Sequence, residues 1–268
     1  MERRFALALA LALASGGTTR ADECRPAEAA GAATIVAVTE RLEFALDDGR
    51  LARAAGLAPA PPDFSATEAG RAAQAALAAR LAGRAARIEP LGPADRWGRV
   101  PALIFPDSEA APEAGALALS IGAARLADTR AAGRCAAIRR DAEAAARAAG
   151  LGLWSDPYYA VLAAGDRAGL AQRAGQFVLV EGRVRRVGTG RQRYFLDFGP
   201  RRDDFTVTVD RRAAQSFQAA GAGVETLAGA WLRVRGLLEL SADSAPRLEA
   251  AGPGQIERLP AGEGEARR

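Results

Sequence analysis

The chain contains no histidine, no lysine and no asparagine, so all 36 of its basic residues are arginine. Cysteine occurs twice, methionine once, and aromatic residues make up only 6% of the sequence. These absences exclude Ser-His-Asp and Cys-His catalysis, His-ligated metals, lysine Schiff bases and a P-loop lysine. Any active site must be built from carboxylates, arginine, hydroxyls and backbone. Alanine is in excess, at about a quarter of the 268 residues, which marks a compositional bias acting at every tolerant position. A hydrophobic content of 49% and a charged content of 25% are those of a globular chain. The length suits one large domain or two ordinary ones, at roughly 100–200 residues each.

The formal charge of +4 suggests an affinity for polyanions, but part of it sits in a removable segment. Arg3 and Arg4 precede an apolar run over 5–14, and small residues at 19 and 21 suit cleavage after Ala21. This is the pattern of a signal peptide over 1–21. The apolar run is about half of the roughly 20 residues that a membrane span needs. The mature chain is therefore expected to be exported, periplasmic or extracellular, with no membrane span. Cleavage leaves 33 arginines against 31 acids, a net +2, so basic character depends on where the arginines fall. In an exported chain, the pair Cys24 and Cys135 favours a disulfide; the alternative is two unrelated buried thiols.

Residues 34–58 alternate and turn like a β-meander, with Leu42, Phe44 and Leu46 on one face and a turn at Asp47-Asp48-Gly49. Ser65 and Glu68 form a capping box opening a helix that carries Leu77 and Leu81 and stops at Gly83. Strands follow over 84–90 and 99–105, then helices near 113–123 and 133–149. Glycines and Pro157 break the pattern over 157–175, which reads as a linker. Beyond it the texture is β-rich, with a short helix near 211–220; Gly182 and Gly236 interrupt strands where bulges or sharp coiling are expected. The expected organisation is a first domain over 22–156, the linker, a second domain over 176–259 and a disordered tail over 260–268. The fold class is α+β, mainly strand with helices, and five short strands with one helix suit an OB-like barrel in the second domain.

Three segments carry a family resemblance: LDDGRLARAAGL at 46–57, ADRWGRVPALI at 94–104, and Cys135…Glu143…Arg147 followed by GLGLW. Through them, residues 34–155 resemble the staphylococcal-nuclease-like (thermonuclease, TNase-like) family. The resemblance implies an OB barrel and a Ca²⁺-dependent phosphodiesterase. In that mechanism two Asp help hold the metal, a Glu assists the attacking water and two Arg bind the phosphate. Arg53 and Arg99 fall on the two arginines, as phosphate-binding candidates. The carboxylates do not carry over. The metal-binding Asp positions fall on Leu42 and Ala58, and the Glu position falls on Pro61. Glu40, Asp63 and Glu68 could be asked to substitute, but the sequence shows no set of oxygens converging on one point. No catalytic residue and no metal ligand is assigned, and Ca²⁺ enters as a cofactor only if nuclease activity is retained.

The second domain concentrates arginine. Arg183, Arg185, Arg233 and Arg235 alternate with apolar residues and are expected to face away from the core; Arg191 and Arg193 flank Tyr194. Cations tracking a backbone beside stacking aromatics is how OB barrels bind single strands, so these seven residues are nucleic-acid-binding candidates. Trp97 and Trp154 read as packing residues. The expected function is an exported, catalytically inactive thermonuclease-like protein that binds nucleic acid or another polyanion. Two alternatives are a nuclease with rearranged carboxylates and an envelope protein-interaction module.

Overall fold

The alternation over 42–46 buries Leu42, Phe44 and Leu46 together, and this strip seeds the first of the two large hydrophobic cores. The structure, a computed structural model, describes residues 24–59, 68–107, 112–221 and 223–260. The signal-peptide segment, Ser65 of the capping box, Pro61, Asp63 and the tail past Pro260 lie outside the described residues. The fold is mixed α+β.

The first unit contains β1 (Gly31–Val38), β2 (Glu43–Leu46), β3 (Leu51–Ala54) and β4 (Leu57–Pro59), followed by α1 (Glu68–Leu81). It continues with β5 (Ala85–Pro90), β6 (Arg99–Pro106), α2 (Ala114–Ser120), β7 (Ala124–Leu126) and α3 (Ala136–Ala148). Five of these strands close into a barrel in the order β1-β2-β3-β6-β5, with β3 parallel to β6 and the other pairs antiparallel. The inner face is small (Ala52, Ala54, Ala86 and Ala102 beside Ile35, Ile88 and Ile104), so α1 packs close with Leu77 and Leu81. The β1–β2 register slips between Ile35 and Ala37, and the residue at the slip, Val36, is exposed.

An ion pair is buried within this unit. Arg139 of α3 and Glu113, the N-cap of α2, are both inaccessible to solvent, with guanidinium–carboxylate distances of 2.7 and 2.9 Å. The remaining Arg139 nitrogen donates to the carbonyl of Ala55, and a side chain at Gly115 would run into the guanidinium. A disulfide joins Cys24 to Cys135, packed with Leu103, Phe105 and Ala132. Its loop spans a separation of 111 residues, which the chain-entropy relation converts to roughly 4–5 kcal/mol.

Residues 157–175, expected as a linker, are instead built into the second unit. They carry β8 (Leu162–Ala163), which pairs with the following strand, and α4 (Arg167–Gln172), capped by Asp166 and anchored by fully buried Leu170. The unit continues with β9 (Phe177–Arg183), β10 (Arg186–Thr189), β11 (Arg193–Asp197), β12 (Thr206–Asp210) and α5 (Arg211–Ala219). It ends with β13 (Trp231–Leu240), β14 (Pro246–Glu249) and β15 (Ile256–Arg258). Its sheet runs β10-β11-β12-β14-β13-β9-β8, with β12 parallel to β14 and β15 added to β13. Since β9 leads into β10 across only Val184 and Arg185, the chain itself links two distant strands of this path. A second core fills the sheet, centred on Val180, Leu196, Val207, Val209, Leu232 and Val234.

Of the two expectations at Gly182 and Gly236, the bulge is corrected. β9 and β13 pair in unbroken register from Trp231↔Arg183 to Leu237↔Phe177. The glycines serve close packing instead: a Cβ on Gly182 would meet Ala164 at 2.5 Å and Phe198 at 2.9 Å. No helix among the described residues is long and apolar enough to cross a membrane.

Candidate functional site

At the rim of the first barrel, β2–β3 pairing sets Glu43 opposite Arg53, and the parallel β3–β6 pair sets Leu51 opposite Arg99. Arg99 donates to Asp95 Oδ2 at 2.8 Å and to Glu43 Oε1 at 3.0 Å. Asp95 Oδ1 in turn accepts the backbone N–H groups of Trp97 and Arg99. The Arg99 hydrogen bond holds the Asp95 carboxyl below its ordinary value, and Asp95, then Glu43, raise the arginine. Arg53 is exposed, and its side chain has no partner among the described residues. Trp97 is not a packing residue. It is 61% exposed, with the Arg96 guanidinium 3.9 Å and the Arg99 guanidinium 4.6 Å from its ring centre.

These residues do not fit a Ca²⁺ site. A hard dication takes roughly six to eight oxygens, whereas Leu42 is buried at a left-handed turn (φ 56°) and Ala58 lies in β4. Pro61 is outside the described residues. The neighbouring acids, Glu43 and Asp95, are both committed to Arg99. Among the described residues, no three Asp, Glu, Cys or His side chains are grouped to hold a metal.

The arginines of the second unit separate into two groups. Arg183 and Arg185 are exposed and line one groove of about 620 Å³ with Phe198 and Trp231. The Arg183 Nε donates to the Gly229 carbonyl, and the Arg185 side chain has no partner among the described residues. Glu181, the carboxylate of this groove, is paired with Arg233 at 2.7 Å. Arg191 and Arg193 are exposed at the tip of the β10–β11 hairpin, beyond the four residues of β10, a strand length of about 13 Å. The structure therefore brings together Arg183 and Arg185 and leaves Arg191 and Arg193 apart from them.

Three candidates are corrected. Tyr194 is half-buried against its own core and covered by the Arg211 guanidinium, so it offers no open stacking face. Its hydroxyl is held by Glu225, which pushes its pKa up. Arg233 and Arg235 do not face solvent, being 8% and 1% exposed. The polar face of β13 is covered by the first unit. Arg235 Nη1 donates to Glu143 of α3 at 2.9 Å and to the Leu126 carbonyl of β7 at 2.8 Å. Arg233 pairs with Glu181 and Glu257, which sit opposite it on the flanking strands β9 and β15. Arg125 of β7 enters the same junction, donating to the Phe177 carbonyl at 2.7 Å and lying 4.9 Å from the rings of Tyr159 and Phe177. Burial there lowers its pKa to about 10. The exported-chain reading missed this use of Glu143. Its signal was present: Arg139 and Glu143 stand at i and i+4 on the face of α3 that also carries Cys135 and Ala146.

Comparisons with protein-family models and with curated proteins each return no match. The resemblance to thermonucleases thus rests on the three sequence segments alone.

Proposed function

We propose that the chain is an exported, noncatalytic thermonuclease-like protein made of two OB-type barrels, and that it binds single-stranded nucleic acid or a similar polyanion through the groove of the second barrel. The observation that carries this reading is the placement of two exposed guanidiniums, Arg183 and Arg185, on one groove whose own carboxylate is already neutralised. Partly buried Trp231 adds aromatic surface along the same groove, and cations beside an aromatic face are the combination used by sequence-tolerant single-strand sites. Hydrolysis is set aside because the carboxylates that would hold a metal are replaced at Leu42 and Ala58, and the strand arginine Arg99 is saturated by acids. The closed path β1-β2-β3-β6-β5 with one parallel pair supports the OB reading of the first barrel, and the disulfide supports export.

A fluorescein-labelled oligo-dT titrated at several salt concentrations tests the proposal. Affinity should fall steeply with salt, and Arg183→Ala/Arg185→Ala should reduce the log–log slope by about 1.4, at roughly 0.7 per single-strand contact. Absence of binding at low salt, or an unchanged slope in the variant, sinks it.

A further inference from the structure

The junction that covers Arg235 also borders a separate, solvent-open cavity of about 450 Å³, lined from both units. Arg130, after β7, and Arg140, on α3, come from the first; Phe217, Leu227, Ile256 and Arg258 come from the second. Arg130 and Arg140 are exposed, and neither side chain has a partner among the described residues. Arg258 is fixed in place by the carbonyl and the hydroxyl of Thr226. The carboxylate in the lining, Glu257, is engaged by Arg233 at 3.1 Å and Arg235 at 3.4 Å. The cavity thus presents three guanidiniums and no uncommitted acid among its lining residues. Phe217 and Leu227, each 3% exposed, and partly buried Ile256 give it an apolar side.

We propose that this cavity binds a small amphipathic anion: a carboxylate or phosphate group carried on an apolar body. The volume falls in the range of about 300–1,000 Å³ typical of small-molecule sites. Planar guanidinium forks suit the paired oxygens of either anion, and the anchored Arg258 has less side-chain freedom to lose on binding. The apolar body displaces water from the Phe217 side while the head group meets the arginines. This site shares no residue with the Arg183–Arg185 groove, so the two proposals fail independently.

Calorimetric titration of the full chain with 1-naphthyl phosphate, 1-naphthoate, 1-naphthol and inorganic phosphate separates the contributions. Either naphthyl anion should bind at least about tenfold more tightly than naphthol or phosphate, a difference of about 1.4 kcal/mol. A preference for one naphthyl anion over the other identifies the head group. Arg130→Gln/Arg140→Gln should lose at least about tenfold in affinity while keeping the same urea midpoint, because both side chains are exposed and unpaired. Arg183→Gln/Arg185→Gln should bind the naphthyl anions as the parent does. The proposal is overturned if neither naphthyl anion binds, if naphthol binds equally well, if the Arg130/Arg140 variant retains full affinity, or if the Arg183/Arg185 variant loses it.

Discussion

The first barrel and the sheet of the second unit follow one strand path and differ in where their buried arginines find acids. In the first, β1-β2-β3 form a meander and β3 runs parallel to β6, which leads through β5 back to β1. In the second, β10-β11-β12 form the meander and β12 runs parallel to β14, which leads through β13 to β9. Each places a helix after the last strand of its meander: α1 between β3 and β5, and α5 between β12 and β13. In the first, Arg139 meets Glu113 of its own unit out of solvent, and Arg99 meets Asp95 and Glu43 and Arg134 meets Glu89 nearer the surface. Arg53, Arg130 and Arg140 of that unit are exposed with no side-chain partner among the described residues. In the second, buried Arg235 takes Glu143 from the first unit and Arg233 takes Glu181 and Glu257, while Arg185, Arg191 and Arg193 are exposed with no side-chain partner among the described residues. One topology therefore accommodates arginine as internal structure and arginine as surface. The neighbouring acids decide which.

The contrast can be broken most forcefully at the disulfide. Cys24→Ser/Cys135→Ser should lower stability by roughly 4 kcal/mol in urea, followed by near-UV circular dichroism. Hydrogen exchange should place the loss in the first barrel; equal loss of protection in both barrels contradicts two separately built cores. Next in size is the junction. Glu143→Gln strips the nearer of two acids from buried Arg235, leaving Glu257 at 3.4 Å, and should cost about 3 kcal/mol by the same denaturation. Arg125→Met should change stability by less than about 1 kcal/mol, because an apolar side chain there avoids desolvating a charge. Equal costs for the two would erase the distinction between a compensated and an uncompensated junction cation.

Acid should also separate the barrels. Asp47, Asp48, Glu89 and Asp95 of the first unit all have lowered pKa values. Hydrogen bonds are the leading cause in each case: from Thr34 for Asp47, from Arg50 for Asp48, from Arg134 for Glu89 and from Arg99 for Asp95. Among the described residues, the second unit has Glu225 alone in this class. The unfolded chain binds protons more readily at these sites. Their stabilisation is therefore complete above about pH 5 and is lost as pH falls below the ordinary carboxylate range toward the lowered values. Amide exchange between pH 5 and pH 2 should show the first barrel opening before the second. The smallest effect on stability is expected from Glu43→Ala, at a partly exposed pair. That change frees one edge of Arg99 beside Arg53, and inorganic phosphate should then alter Trp97 fluorescence in the variant and not in the parent.

Much of the local structure was legible in the sequence. The alternation around Phe44 and Val180 and the Ala-rich helices each follow from spacing and residue type. What alternation cannot tell is the material covering a strand's polar face. Arg233 and Arg235 point away from their own core, as their pattern requires, and meet acids of β9, β15 and α3 that are distant in sequence. Tyr194 failed for a simpler reason. It shares its face with Leu196 and Phe198, so the arginines beside it in sequence lie on the other side of the sheet. The short segment 157–175 was opaque because two-residue β8 and six-residue α4 are too brief for periodicity to register.

The Cys24–Cys135 bond has a consequence for the order in which the molecule is made. Every strand from β1 to β7 lies between the two cysteines, and every strand from β8 onward lies after them. A chain emerging from its N-terminus therefore carries Cys24 unpaired until the whole first barrel has followed it. The bond can seal that barrel while the second is still being delivered. Oxidation then acts as a latch on one half of the protein, and Glu143, eight residues beyond the latch on α3, waits for Arg235 to arrive.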